Sequence, residues 1–127
     1  MALIGLGIDL VEVRRIRDLV IKHGERFKRR TFTEAEILYC DSCADPAMHY
    51  AARFAAKEAG AKALGTGFAE GVSWSDIEVV RADNGAPSLL FHGGALKLAQ
   101  EKGINQSLIS LTHTTDTAAA HVILASS

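Results

Sequence analysis

One alanine-rich run limits the fold more than any other stretch. Residues 47–67, AMHYAARFAAKEAGAKALGTG, start just after Pro46 and finish at Gly65 and Gly67. Proline beside a helix start and glycine just past its end are boundary signals, so a long helix is expected here. At about 100° per residue, Ala47, Ala51, Phe54 and Ala55 share the apparent core-facing side. Glu58 and Lys62 fall in the middle of that side, near its C-terminal end, while Arg53, Lys57 and Leu64 fall opposite. Burying charge is costly unless the charge is paired or liganded. The pattern therefore admits two readings. One is an i,i+4 Glu-Lys pair on a solvated face. The other is an inward-facing polar site at the end of a core helix.

A second constraint lies at the start of the chain. Residues 2–12 alternate as a strand, with Ile4, Leu6, Ile8 and Leu10 on one face and Leu3, Gly5, Gly7, Asp9 and Val11 on the other. Glycine inside a strand marks close approach of a ligand or another backbone, and Asp9 sits on the face that two glycines clear. Residues 13–22 follow as an amphipathic helix with Val13, Ile16 and Val20 inward, and Gly24 breaks it. A short basic segment, 25–30, leads to Thr33-Glu34-Ala35-Glu36, a capping box that opens a short helix to about Cys40. After a glycine-rich loop, 74–82 and 88–92 read as strands joined through Asp83-Asn84-Gly85, a strong hairpin signal. A helix at about 95–102 and a last hairpin, 106–113 with 117–125, complete the expectation. The fold class is α+β, a single domain over 1–127 with an antiparallel sheet around the long helix.

Composition excludes several classes. With 127 residues, 48% hydrophobic and 23% charged, the chain can bury a core of its own and does not match a disordered composition. No apolar run is long enough for a membrane span, and the apolar N-terminal run precedes the arginines rather than following them as in a signal peptide. A cytoplasmic location with no membrane partner is the expectation. Cys40 and Cys43 form a C-x-x-C without the second pair that a zinc site wants, at a helix end rather than a strand-to-helix turn, so they read as reduced thiols. The net charge of −1 hides an asymmetry: residues 14–30 carry eight basic and two acidic residues, and the remainder six basic and thirteen acidic. A basic block on an acidic body suits an acidic partner.

Gly7-Ile8-Asp9 and, on the long helix, Phe54-Ala55-Ala56-Lys57-Glu58-Ala59-Gly60-Ala61-Lys62 stand in order in one short chain. Together they resemble the paired motifs of the 4′-phosphopantetheinyl transferase superfamily, G-[IV]-D and [FW]-x-x-K-E-x-x-x-K. The chain length, Leu64-Gly65-Thr66-Gly67, Asn84-Gly85-Ala86-Pro87 and Ser110-Leu111-Thr112-His113 are similar to the small branch that modifies acyl carrier proteins. The resemblance runs from residue 4 to about 124. The mild departures are Thr114-Thr115-Asp116 after His113 and the basic segment 25–30.

The resemblance implies an enzyme that moves the 4′-phosphopantetheine arm of coenzyme A onto a serine of an apo acyl carrier protein, releasing adenosine 3′,5′-bisphosphate. It implies Mg²⁺ as cofactor and a trimer with an active site at each subunit interface. The catalytic set is Asp9, Glu58 and Lys62, with Asp9 and Glu58 at the metal. Mg²⁺ takes one or two carboxylates and completes its shell with water and phosphate oxygens, and Lys62 is a point charge for the pyrophosphate. Such transfer relies on positioning and charge neutralisation. The serine proton has three candidate acceptors, a metal-bound water, Glu58 or a nearby group, with the water favoured. Arg53 and Lys57 are candidates for the 3′-phosphate end of coenzyme A, Gly65 for close backbone approach to the nucleotide, and Pro87 and His113 for cofactor contact. Arg14 and Arg15 are candidates for docking the acidic carrier. The alanines and apolar residues of 118–125 could pair at a subunit interface or fill a plain core. Two other readings compete: a nucleic-acid-binding module using the basic segment 14–30, interleaved with only Phe27 and Phe32, and a coenzyme-A-binding acyltransferase.

Overall fold

The computed structural model describes residues 1–127. Strand β1 (Ala2–Glu12) leads into helices α1 (Val13–His23), α2 (Glu25–Thr31), α3 (Glu34–Asp41) and α4 (Pro46–Leu64). A single 3-10 turn at Trp74–Asp76 precedes the hairpin of β2 (Ile77–Arg81) and β3 (Pro87–Phe91). Helix α5 (Gly93–Glu101) and strands β4 (Gln106–His113) and β5 (Thr117–Ser126) follow. The class is α+β as expected, but the strands form two antiparallel sheets rather than one: β1-β5-β4, and β2-β3 by itself. No helix is long and apolar enough to cross a membrane.

The local signals act as the sequence implies. Thr33 Oγ1 accepts from the N–H of Glu36 at 3.2 Å, and the Glu36 carboxylate accepts from the N–H of Thr33 at 2.8 Å, closing the capping box. Gly65 ends α4 at φ 89°, a conformation that favours glycine. Helix α2, by contrast, was expected only as a basic segment. Its run of charges hides two buried residues, Phe27 and Thr31. The Phe27 ring packs edge-on to Phe32 at 5.8 Å, and Phe32 lies 4.8 Å from Tyr50.

Helix α4 lies across the inner face of the three-stranded sheet, and the β1 glycines let it come close. An added Cβ at Gly7 would sit 1.9 Å from the carbonyl oxygen of Ala59, and at Gly5 it would sit 1.8 Å from that of Ala63. Both obstacles are backbone atoms. The other faces of α4 meet α1, α3 and β2, so 14 of its 19 residues are buried. This corrects the sidedness read from the helical wheel. Lys57 is fully buried and Arg53 nearly so, whereas Lys62 is half-exposed. A helix enclosed on nearly all sides has no solvated face for the wheel to find.

The opposite face of the sheet is apolar and open. Leu6, Ile8 and Leu10 of β1 are 65%, 62% and 69% exposed, and Leu108 of β4 is 60% exposed. Their cross-strand neighbours on β5 are Ile123, His121 and Ala119. Because β5 is hydrogen-bonded on both edges, it has no free edge to pair with another chain. The 118–125 stretch can contribute to an interface only through its outward side chains.

Gly7→Ala should lower the unfolding free energy by about 2–3 kcal/mol, because overpacking against backbone cannot be relieved by a rotamer change. A urea titration measures this, and an unchanged midpoint would contradict the seating of α4 on β1.

Candidate active site

The β1 residue two beyond Gly7 points to the same side of the sheet, so the contact that seats α4 also brings Asp9 to the helix. Lys62 Nζ donates to Asp9 Oδ1 at 3.0 Å and to the Ile8 carbonyl at 3.1 Å. Glu58, one turn before Lys62, is half-buried beside this pair. Burial pushes its carboxyl pKa up, and the nearby Asp9 charge adds to the rise, while Lys62 and Arg15 oppose it. Two carboxylates and two cations thus share one flank of α4. No group of three or more histidine, cysteine or acidic side chains converges as a metal cage. A pair of adjacent carboxylates is still a donor set that fits a hard divalent cation whose remaining ligands are water and phosphate.

Arg15 was expected beside Arg14 on the carrier-facing side. The Arg15 guanidinium lies 5.3 Å above the Phe54 ring, one helical turn from Glu58. Both arginines also border an open concavity with Glu12, Asp18, Leu19 and Lys22. Much of the remaining basic block is engaged within the chain. Arg17 makes a two-pronged pair with Asp45, both bonds 3.0 Å, Lys28 meets Asp41 at 3.2 Å, and Arg29 meets Glu34 at 3.0 Å.

Lys57 does not reach a ligand surface, which corrects its expected role at the 3′-phosphate. Its ammonium lies 2.8 Å from Glu36 Oε1, with both side chains fully buried. It also donates to the carbonyls of Ile77 and Trp74. A lysine has three donors, and all three are used. The second Glu36 oxygen accepts from the N–H of Val79 at 2.8 Å. This pair ties α3, α4 and β2 together. An added Cβ at Gly65 would lie 3.2 Å from the Lys102 ammonium, which donates to the Leu64 carbonyl.

Arg53, Pro87 and His113 do come together. With Tyr39, His49, Ala52, Arg81, Gly85 and Leu111 they line a cavity of about 220 Å³. Arg53 is 4% exposed and its Nε has no hydrogen-bond partner. Its guanidinium carbon lies 4.3 Å over the Tyr39 ring. The rings of His49 and His113 are 5.8 Å apart. Burial holds the His49 pKa below the usual histidine range, and the Arg53 and His113 charges push it the same way. Tyr39, His49 and Arg81 had no signal in the sequence beyond the Asn84-Gly85 turn, which sets Arg81 across from Pro87.

The two clusters occupy opposite flanks of α4. Asp9 is on β1 and His113 on β4, with β5 between them, so about 9–10 Å of sheet separates the strands and the helix lies above.

Comparisons with known proteins agree with this fold. The profile of the 4′-phosphopantetheinyl transferase superfamily matches residues 5–121. A holo-[acyl-carrier-protein] synthase of Maridesulfovibrio salexigens is 51% identical over 122 residues, which are 96% of this chain and 98% of the relative. Among solved structures, the holo-[acyl-carrier-protein] synthase of Neisseria meningitidis superposes with a TM-score of 0.89 at 35% identity, covering 97% of this chain and 98% of that one. A Bacillus anthracis holo-(acyl-carrier-protein) synthase in complex with CoA (3′,5′-ADP) superposes at 0.82 with 34% identity over the full length of both.

The strained ionisation of Glu58 has a measurable consequence. Its folded pKa is raised above the ordinary 4.5, so the folded state binds its proton more tightly than the unfolded state does. Its carboxylate therefore costs stability above that range and nothing below it. In EDTA-containing buffer, Glu58→Gln should melt above the unaltered chain at pH 8, and the gap should close as pH falls below about 4.5.

Proposed function

This chain belongs to the 4′-phosphopantetheinyl transferase superfamily and, within it, to the holo-[acyl-carrier-protein] synthase enzymes. On that premise we propose that it transfers the 4′-phosphopantetheine arm of coenzyme A to a serine of an apo acyl carrier protein in the cytoplasm, with Mg²⁺. The observation that carries this reading is the convergence of Asp9, Glu58 and Lys62 beside the glycine-cleared strand.

In the proposed reaction the serine oxygen bonds to the phosphorus of the arm. The P–O bond to adenosine 3′,5′-bisphosphate breaks, and the hydroxyl proton is released. Asp9 and Glu58 would hold Mg²⁺, which supplies charge neutralisation at the phosphate when bound. Lys62, half-exposed and paired with Asp9, can turn its ammonium onto a pyrophosphate oxygen. Arg53, Pro87 and His113 would take the nucleotide end. Arg14, with Arg15 at the rim nearest Glu58, would meet the acidic carrier, an attraction that weakens as salt rises.

To lie on both flanks of α4 within one copy of the chain, a single ligand would have to wrap around a helix of which 14 of 19 residues are buried. The open apolar face of Leu6, Ile8, Leu10 and Leu108 is suited to burial against further copies. We therefore propose a homotrimer in which the carboxylates of one copy and the Arg53 cavity of its neighbour form one active site.

Mass spectrometry should show an apo carrier gaining one phosphopantetheine in the presence of coenzyme A and Mg²⁺. Asp9→Ala and Glu58→Ala should abolish the gain with the circular dichroism spectrum retained, and near-full activity in EDTA would exclude the metal role. Subunit sharing has its own assay. Asp9→Ala and His113→Ala proteins, each impaired alone, should recover activity when unfolded and reassembled together, and no recovery would confine each site to one chain.

A further inference from the structure

The cavity beside Arg53 holds more positive charge than the proposed reading has used. Its lining contains two arginines and two histidines but no acidic residue. Tyr39 organises the arginines. Arg53 lies 4.3 Å over its ring, Arg81 lies 4.7 Å from the same ring, and Arg81 Nη1 donates to the Tyr39 hydroxyl. The hairpin aims Arg81 at the site: it ends β2 opposite Pro87, and the Nη2 of Arg81 comes within 3.1 Å of where a Cβ on Gly85 would be. Gly85 has φ 87°, so the turn both needs glycine and leaves the guanidinium room.

Nothing inside the cavity balances this charge. The Arg53 Nε is buried with no partner. A buried donor of a charged group is expensive to leave unsatisfied, and two guanidiniums held by one aromatic ring form a fork suited to a phosphate dianion. A phosphodiester, with one negative charge and no free edge, would satisfy the fork less well than a terminal monoester.

We propose that Arg81, posted on Tyr39 and acting with Arg53, is a specificity residue that selects a donor bearing a terminal phosphate monoester. Resting on the transfer reaction proposed above, this assigns Arg81 to the 3′-phosphate of coenzyme A and makes it the source of discrimination against 3′-dephospho-coenzyme A. Arg81 lies outside the paired sequence motifs, so the selection is a property of this chain's hairpin and of Tyr39 rather than of the carboxylate centre.

The test compares two donors with one carrier. Arg81→Gln should reduce the preference for coenzyme A over 3′-dephospho-coenzyme A, measured as the ratio of their kcat/KM values, by about tenfold or more, the loss expected for one charge-assisted contact. Tyr39→Phe, which removes only the hydroxyl anchor, should reduce the ratio by less. Arg81→Lys should restore part of it. Calorimetric titration of the purified protein with 3′,5′-ADP and with 5′-AMP should show the same selectivity and the same loss, with no carrier present. Equal loss for both donors, or an unchanged ratio in Arg81→Gln, would overturn the assignment. If the unaltered chain transfers from neither donor, the proposed reaction itself fails. If it transfers and the ratio is insensitive to Arg81, only this inference fails.

Discussion

The site depends on how closely a strand backbone can approach a helix backbone. Gly5 and Gly7 leave no space for even one carbon between β1 and the carbonyls of Ala63 and Ala59. That distance puts Asp9, the next residue on the same strand face, within reach of Lys62 and beside Glu58. A larger residue at either glycine would lift the strand and move the carboxylate away with it. The placement of Asp9 is thus fixed by main-chain packing rather than by side-chain fit.

Helix α4 shows how one residue type takes different roles within a few positions. Lys57 and Lys62 are separated by little more than a turn, yet one is sealed and the other half in solvent. Burial pushes the Lys57 pKa down, with the Arg53 charge adding to the fall, and Glu36 opposes that shift. The pair persists because every donor of the ammonium has an acceptor. Removing one member of such a pair is severe, since it strands the other charge in an apolar interior. The Lys-Glu dipeptide at 57–58 therefore joins an architectural lysine to a site carboxylate, adjacent in sequence and facing different surroundings.

Much of the fold was legible in the sequence because local rules act locally. The capping box at Thr33-Glu36, the Asn84-Gly85 hairpin and the Pro46-to-Gly65 limits of α4 needed no knowledge of the remainder of the chain. The alternation of 2–12 correctly put Asp9 with the glycines. The helical wheel failed on Arg53 and Lys57 because it assumes one wet side. Helix α2 was missed because its two inward residues are lost among charges. The second sheet could not be read, since nothing in a strand's pattern says which strand it will join. Of the candidate site, Asp9, Glu58 and Lys62 are grouped, as are Arg53, Pro87 and His113. Gly65 and Lys57 are turned to structural neighbours, and Tyr39, His49 and Arg81 become visible only in three dimensions.

Strand order has a consequence for how the molecule comes into being. The middle strand of the main sheet, β5, is also the last in sequence, and it pairs with the first over more than a hundred intervening residues. Until residues 117–126 are available, β1 and β4 lack the ladder that joins them, and the glycine-lined strand has no fixed height for α4 to rest on. Helices α1 to α4 can form early from short-range contacts, but the sheet closes late, because long-range pairing carries the loop-closure entropy before any contact compensates it. During synthesis Asp9 therefore lies on a strand that has no partner until β5 is made, and its grouping with Glu58 and Lys62 depends on that last strand.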